Sequence, residues 1–196
     1  MKSEPGNPPD KLAFGLKEWS IVCDLLQEGR LAILLRKGGI HESSGPGVFE
    51  LEHPWFALYP SWAHQKPEMI KQEHRARVSV MAEPSVVPIA GFGHAARLWQ
   101  IKSRAAFDSL ESLHCWTKPQ IDMRFDYKPQ NPLYLMAVRI YRLSKPVEIV
   151  NHAEYAGCKS WVPFRPSDEP ATLGSNAVLS DEAFNELVAQ VDRSMK

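Results

Sequence analysis

The pattern of apolar positions predicts two strands that end in polar groups. Residues 31–35 are apolar at every position, which is typical of a strand buried on both faces in the middle of a sheet. Residues 55–59 form a second apolar run, and the prolines beside it are tolerated at strand ends. Binding sites are commonly built where strands give way to loops. The polar groups after these two runs are therefore the first candidates for a site: Arg36 and Lys37 after the first run, His64 and Gln65 after the second.

The remaining periodicity predicts a mixture of helices and strands. Apolar residues three and four apart predict a helix over 16–28, stopped by Gly29. Residues 133–143 form a long run that is rich in β-branched and aromatic side chains, which favours a strand. Ser180, followed by two acidic residues, predicts the start of a closing helix. Weaker patterns predict strands at 48–52, 77–81, 91–101 (with a possible bulge) and 159–164, and helices at 68–75 and 104–114.

This order of elements indicates the α+β class. Strands and helices do not alternate regularly, which argues against a doubly wound sheet. The number of strands and their corner-like breaks favour a small mixed or antiparallel, partly closed β-barrel with flanking helices. Residues 1–13 combine prolines with polar groups and are expected to form a disordered tail. Residues 14–196 are expected to form a single globular domain.

Composition limits the kinds of partner that the chain can take. Lysine and arginine number 23, as do aspartate and glutamate, so the formal net charge is zero. A non-specific coat of nucleic acid needs a positive excess, so a nucleic-acid role requires a local basic patch or a pocket. The three cysteines show no disulfide or metal-knuckle spacing, which fits a reducing compartment. Neither a signal peptide nor a membrane span is predicted, and we expect a cytoplasmic protein.

Catalytic and metal-binding motifs are scarce. The seven histidines form no HxH or HExxH pattern and no cluster with cysteine, so neither a metal site nor a cofactor is predicted. Asp126 and Lys128 form an acidic-x-lysine triplet, with Asp108 upstream. Restriction-type nucleases use two carboxylates to hold a divalent metal and a lysine to stabilise charge. Asp108 falls in a predicted helix, and Pro129 shortens the strand of the triplet, so the metal-dependent nuclease is retained as an alternative.

A binding module is the hypothesis that these residues favour over an enzyme. Cations beside aromatic walls can hold a nucleobase by stacking and by hydrogen bonds to its edge. The expected partner is nucleic acid or a nucleotide in a local cleft, without a membrane. A structural partner protein without any ligand is a further alternative. The residues predicted to line the cleft are Arg36, Lys37, His64, Gln65, Arg124 and Lys159.

An ordered set of motifs resembles a known bacterial family. LKEWSIV, LLRKGGIHE, FALYPSWAHQ, LHCW, VRIYRLSKP and YAGCKSWV occur between about residues 16 and 161. Together they resemble domain-of-unknown-function family 1802, which has no established activity. Its occasional association with restriction-endonuclease-type catalytic domains implies a nucleic-acid or restriction–modification context.

A second resemblance is at the level of the fold. A helix ending in Gly29, a strand ending in Arg36 and a long strand running into Lys-Pro-Val resemble the PUA-like barrels, which bind RNA or modified bases in a cleft. This resemblance implies that Arg36 and Lys37 lie near the cleft and that Trp161 forms an aromatic wall. Fold alone does not fix function.

Overall fold

The chain has an α+β architecture built on one mixed sheet. The computed structural model describes residues 6–37, 53–157 and 159–196, and the predicted strand at 48–52 lies outside them. Within these ranges seven strands and five helices follow one another. The strands are Phe14–Trp19 (β1), Ile33–Lys37 (β2), Trp55–Ser61 (β3), Val86–Gln100 (β4), Leu133–Val150 (β5), Trp161–Pro163 (β6) and Asn176–Ala177 (β7). The helices are Ser20–Gln27 (α1), Gln72–Arg75 (α2), Arg104–Asp108 (α3), Lys118–Asp126 (α4) and Asp181–Ser194 (α5).

The sheet is open, and a barrel is not supported. Its order is β2-β5-β4-β3-β1-β6, with β7 paired to β5. β1 and β3 are parallel, whereas the other strand pairs are antiparallel. In the described ranges β2 pairs only with β5 and β6 only with β1, so the two ends do not meet. The α+β class is confirmed, the predicted closure is wrong, and the resemblance to PUA-like barrels is not confirmed.

The breaks expected to be barrel corners are irregularities inside long strands. The pairing of β4 with β5 shifts register between Ile89 and Gly91 and again between Ala95 and Arg97. Such bulges bend a strand without ending it. Pro146 lies in the part of β5 opposite the first shift, where its missing N–H removes no regular ladder bond. β5 therefore continues beyond the predicted run 133–143 and through the Lys-Pro pair.

The strand β2 is buried although it lies at one end of the sheet. Ile33 and Leu34 are both inaccessible to solvent, and neighbouring side chains of a strand point to opposite faces. Nearby Ala32 packs in a cluster with Phe184 of α5. Burial on both faces therefore comes from packing above and below the sheet, and among the described strands β2 is not central.

The predicted helix over 16–28 is a strand followed by a shorter helix. Up to Trp19, the spacing of the apolar residues fits a helix and a strand equally. Pairing decides the outcome, because β1 lies between parallel β3 and antiparallel β6. The stop at Gly29 is confirmed, with φ at 74° and its N–H donating to the carbonyl of Leu26 at 3.1 Å. Lys17 and Glu18 consequently lie at the end of a strand.

Several weaker predictions also need correction. Residues 77–81 are not a strand. The helix expected at 104–114 is divided into α3 and a 3-10 turn at Glu111–Leu113, and that at 68–75 into a 3-10 turn at Pro67–Met69 and α2. Helix α4 was not predicted. In the N-terminal segment, Leu12 is buried and its N–H donates to the carbonyl of Pro170 at 3.0 Å.

Both faces of the sheet contribute to the core. On one face the largest apolar cluster joins Phe56 and Leu58 of β3 to the helices. On the other face a second cluster joins the intervening residues Ala57 and Tyr59 to Tyr155. The two clusters fix the end of β3 from above and below, which is where the candidate site lies. No helix in the described ranges is long and apolar enough to span a bilayer.

Candidate functional site

A cavity of about 320 Å³, with several charged residues in its wall, opens at the carboxyl ends of the two parallel strands. Trp19, the last residue of β1, is in register with Ser61, the last residue of β3, so both strands end at the same level. The walls come from these strand ends, the turn after β3, the side of α4 and residues 151–157 and 159–160. The cavity therefore gathers chain segments that are far apart in sequence.

A nearly buried ion pair forms one wall of the cavity. Arg36 Nη2 lies 2.9 Å from Glu18 Oε2, and the two side chains are only 11% and 10% exposed. The same guanidinium donates to the carbonyl of Lys17 at 3.2 Å, and Glu18 Oε1 accepts the N–H of Trp19 at 3.0 Å. These bonds fix the carboxylate and its partner in one orientation.

Beside this pair lies a second guanidinium, that of Arg124, which has no hydrogen-bond or ion-pair partner among the described residues. Arg124 projects from α4 into the cavity and is half-buried. It makes no hydrogen bond or ion pair with any residue that the structure describes. Burial lowers the pKa of Arg124, the nearby Glu18 carboxylate opposes this shift, and Arg36 adds to it. Among the described residues, two guanidinium groups therefore lie under the influence of one carboxylate, that of Glu18.

Two lysines hold the opposite wall in place. Lys17 Nζ donates to the carbonyls of Tyr155 at 2.6 Å and Gly157 at 3.2 Å. Lys159 Nζ donates to the carbonyl of Glu154. Carbonyl oxygens accept hydrogen bonds, so these contacts order the segment 154–157. The lysines add to the positive potential of the cavity.

The rim after β3 carries a carboxylate and an amide. Glu83 Oε1 accepts hydrogen bonds from the Ser61 hydroxyl and from the N–H groups of Trp62 at 3.1 Å and Ala63 at 2.9 Å. Asn151 Oδ1 accepts the hydroxyl of Tyr59 at 3.0 Å. Because both polar side chains are fixed by the surrounding chain, this rim is ordered before any ligand binds.

His64 enters the cavity on a strained backbone. Its φ is 61°, in the left-handed region, which residues other than glycine rarely adopt. Such a conformation costs on the order of 1–3 kcal/mol and is found preferentially at functional sites. The imidazole is exposed and lies in the cavity wall. The backbone geometry therefore favours a role for His64 in the site.

Four of the residues predicted from the sequence lie together in this cavity. Arg36 comes from the end of β2, His64 from the turn after β3, Arg124 from α4 and Lys159 from the segment before β6. The reasoning that placed them at strand ends is correct for Arg36 and wrong for Arg124, which is on a helix. Their role in ligand binding stays a prediction.

The other three predicted residues lie outside the cavity wall. Gln65 is buried and exchanges hydrogen bonds with Ser20, at 3.2 and 3.0 Å. Lys37 Nζ donates to the carbonyl of Phe125 at 2.6 Å. Trp161 is buried in the main apolar cluster. These three side chains support the elements around the cavity and do not line it.

The three residues of the nuclease alternative each interact with a different side chain. Asp108 pairs with Arg104 at 2.6 Å within α3. Asp126 faces Lys37, and Lys128 lies over the ring of the preceding tyrosine at 5.4 Å. Among the described residues no group of three or more histidine, cysteine or acidic side chains could hold a metal ion. No observation therefore favours a metal-dependent reaction at these residues.

The comparison with known proteins identifies the family. A family model described as Domain of unknown function (DUF1802) matches residues 15–190. The chain belongs to this family. The match confirms the resemblance carried by the motifs. Searches of curated proteins and of solved structures gave no match.

Within this DUF1802 chain, several residues of the cavity escaped prediction. Lys17 and Glu18 were assigned to a helix, which hid their position at a strand end. A signal was available, because the apolar residues Phe14 and Leu16 are two positions apart, as expected for one face of a strand. Glu83 and Asn151 follow no recognisable motif, and only the folded chain brings them to the cavity.

Proposed function

We propose that the cavity binds the phosphate of a nucleotide or modified nucleotide, and that the protein is a binding module. The observation that supports this proposal is the guanidinium of Arg124, which lies in the cavity wall and pairs with none of the described residues. A buried charge without a partner is unfavourable, and the pKa of Arg124 is lowered for that reason. A phosphate would supply the missing negative charge and accept two parallel N–H groups from the guanidinium.

The size and charge of the molecule favour one nucleotide over a long strand. A cavity of about 320 Å³ is at the lower end of the range for small-molecule sites, roughly 300–1,000 Å³. The net charge of zero does not supply the positive excess that a coat of nucleic acid requires. A free mononucleotide or a single flipped nucleotide fits both observations.

The family resemblance is the reason to include DNA nucleotides among the ligands. Association with restriction-type catalytic domains implies a context in which base modification is read. We therefore propose a restriction–modification setting, in which the module would recognise a nucleotide and a separate protein would act on it.

Calorimetric titration of the full chain tests the proposal. Inorganic phosphate and deoxynucleoside monophosphates are titrated into wild type, Arg124→Gln and the control Arg193→Gln, whose arginine is exposed on α5. Loss of a charge-assisted contact in Arg124→Gln should weaken binding by about 10- to 100-fold, with the control unchanged. Absence of binding to wild type at low salt, or equal affinity in Arg124→Gln, would refute the proposal.

A further inference from the structure

We infer that the ligand of this cavity carries an amino-bearing ring, adenine or cytosine in type, whose amino group is accepted by Glu83. The inference rests on the proposed function and specifies its ligand. Arg124 offers only donors, whereas the rim after β3 offers a carboxylate on the same cavity. A molecule that satisfies both has an anionic group and, on another part, a hydrogen-bond donor.

The carboxylate of Glu83 has one oxygen committed and one available. Oε1 accepts three hydrogen bonds, from Ser61 and from the backbone of the turn after β3. Oε2 accepts none from the residues that the structure describes. An ionised carboxylate only accepts hydrogen bonds, so it stabilises an amino group and repels a carbonyl oxygen in the same place. Acceptance of an amino group by glutamate is a known form of base discrimination.

The orientation of this carboxylate is fixed before the ligand arrives. Three donors to one oxygen leave Glu83 little rotational freedom, so the carboxylate keeps its position in the cavity wall. An acceptor whose orientation is already fixed is more selective, because the side chain does not have to become ordered when the ligand binds. Neighbouring Asn151 has its amide oxygen occupied by Tyr59 and its Nδ2 bound to the carbonyl of Pro84 at 3.0 Å. Asn151 therefore does not compete with Glu83 for the amino group.

An aromatic side chain for the ring is also present in the wall. Trp19 lines the cavity at the end of β1 and is half-buried. Stacking on a tryptophan stabilises every base and does not discriminate amino from oxo rings. In this arrangement Trp19 contributes affinity, Arg124 holds the phosphate, and Glu83 determines selectivity.

Matched nucleotides test the inference without relying on any variant. AMP and IMP differ by an amino or an oxo group at one ring position, as do CMP and UMP. Calorimetry of the full wild-type chain should give at least about tenfold tighter binding of the amino member in at least one pair. Glu83→Gln can donate to an oxo group, so it should bring the ratio to within about threefold. The control Glu186→Gln, on the exposed side of α5, should keep the wild-type ratio.

The outcomes separate this inference from the proposed function. Equal wild-type affinities in both pairs, with binding still dependent on Arg124, would overturn the amino preference and leave the phosphate site standing. A preference that persists in Glu83→Gln would overturn the assignment to Glu83. Failure of nucleotides and of inorganic phosphate alike to bind would refute the phosphate site, and the inference with it.

Discussion

At the scale of residues, Glu18 determines the electrostatics of the cavity. Its carboxylate pairs with Arg36. The same carboxylate opposes the lowering of the Arg124 pKa that burial causes. Removing one member of a buried ion pair leaves the other charge without compensation, which destabilises a protein by about 3–5 kcal/mol. The same loss raises the positive potential that attracts an anion. Loss of the Glu18 carboxylate should therefore lower the stability of the protein and raise its affinity for an anion.

We predict that Glu18→Gln changes stability and phosphate affinity in opposite directions. The free energy of unfolding, measured by urea denaturation, should fall by about 3 kcal/mol, because the pair is slightly exposed. Phosphate affinity, measured by calorimetry, should rise. Glu186→Gln serves as the control and should alter neither. A parallel loss of stability and affinity would show that Glu18 only maintains the shape of the cavity.

A buried histidine away from the cavity makes stability depend on pH. The side chain of His114 is inaccessible to solvent and stacks between the rings of Phe107 and Trp116. Burial is the main cause that lowers the pKa of His114, Lys71 adds to the shift and Glu111 opposes it, and the net result is a pKa of about 4. In the unfolded chain the imidazole titrates near 6.5. As the pH falls, the unfolded state therefore takes up the proton first, and stability is lost between about pH 6.5 and pH 4.

The size of this effect follows from the pKa difference. Between pH 7.5 and pH 5, His114 should remove on the order of 2 kcal/mol from the free energy of unfolding. His114→Phe keeps an aromatic ring in the stack and should reduce the pH dependence by this amount. His74→Gln, in α2, controls for the loss of a histidine outside the stack. Urea denaturation at the two pH values measures the difference, and identical profiles of wild type and His114→Phe would contradict it.

At the scale of elements, the closing helix α5 begins as its sequence indicates. Ser180 Oγ accepts the N–H of Ala183 at 3.1 Å, and Arg139 donates to the Ser180 carbonyl at 2.8 Å. Ser180→Ala removes only the side-chain cap and should lower the free energy of unfolding by about 1 kcal/mol. Ser194→Ala, at the far end of the same helix, should leave it unchanged within about 0.5 kcal/mol. A cap variant as stable as the control would mean that packing alone fixes this helix.

Elements with strong local signals could be predicted, whereas elements fixed by distant pairing could not. The run 133–143 lies within β5, and the stop at Gly29 is where the sequence places it. β1 was missed because its spacing also fits a helix, and only pairing with β3 and β6 selects the strand. α4 begins with Pro at its first turn but has no continuous apolar stripe. The open sheet was missed because a bulge and a corner give the same break in a hydrophobic pattern.

The same distinction explains which residues of the cavity were found. Arg36 and His64 follow apolar strands, and this local signal was sufficient to select them. Gln65 gave the same signal but turns inward to Ser20, which no local pattern encodes. Glu83 comes from a segment without regular structure and reaches the cavity only through its bonds to the turn after β3. Residues of the site could thus be predicted where a strand ends, but not where segments that are distant in sequence meet.

At the scale of the whole molecule, neutrality and a local excess of cations coexist. The chain has no net charge, yet the cavity gathers the side chains of Arg36, Arg124, Lys17 and Lys159 around the carboxylates of Glu18 and Glu83. The cavity is therefore a place to which an anion is attracted although the molecule as a whole is neutral. At physiological ionic strength, charges more than about 8 Å apart are largely screened. Distant phosphates of a long ligand should then contribute little to binding.

This distribution of charge leads to a prediction about salt and ligand length. A protein that coats nucleic acid releases many counterions, and its affinity falls steeply with salt. Here one phosphate is neutralised, so the logarithm of the association constant should fall with the logarithm of the salt concentration with a slope of about −1. A mononucleotide and a single-stranded 12-mer with the same terminal nucleotide should bind within about threefold of each other, because the added phosphates lie beyond the cavity. Fluorescence titration at several salt concentrations measures both quantities. A slope of several units, or an affinity that grows with each added nucleotide, would show instead that the protein binds along a strand.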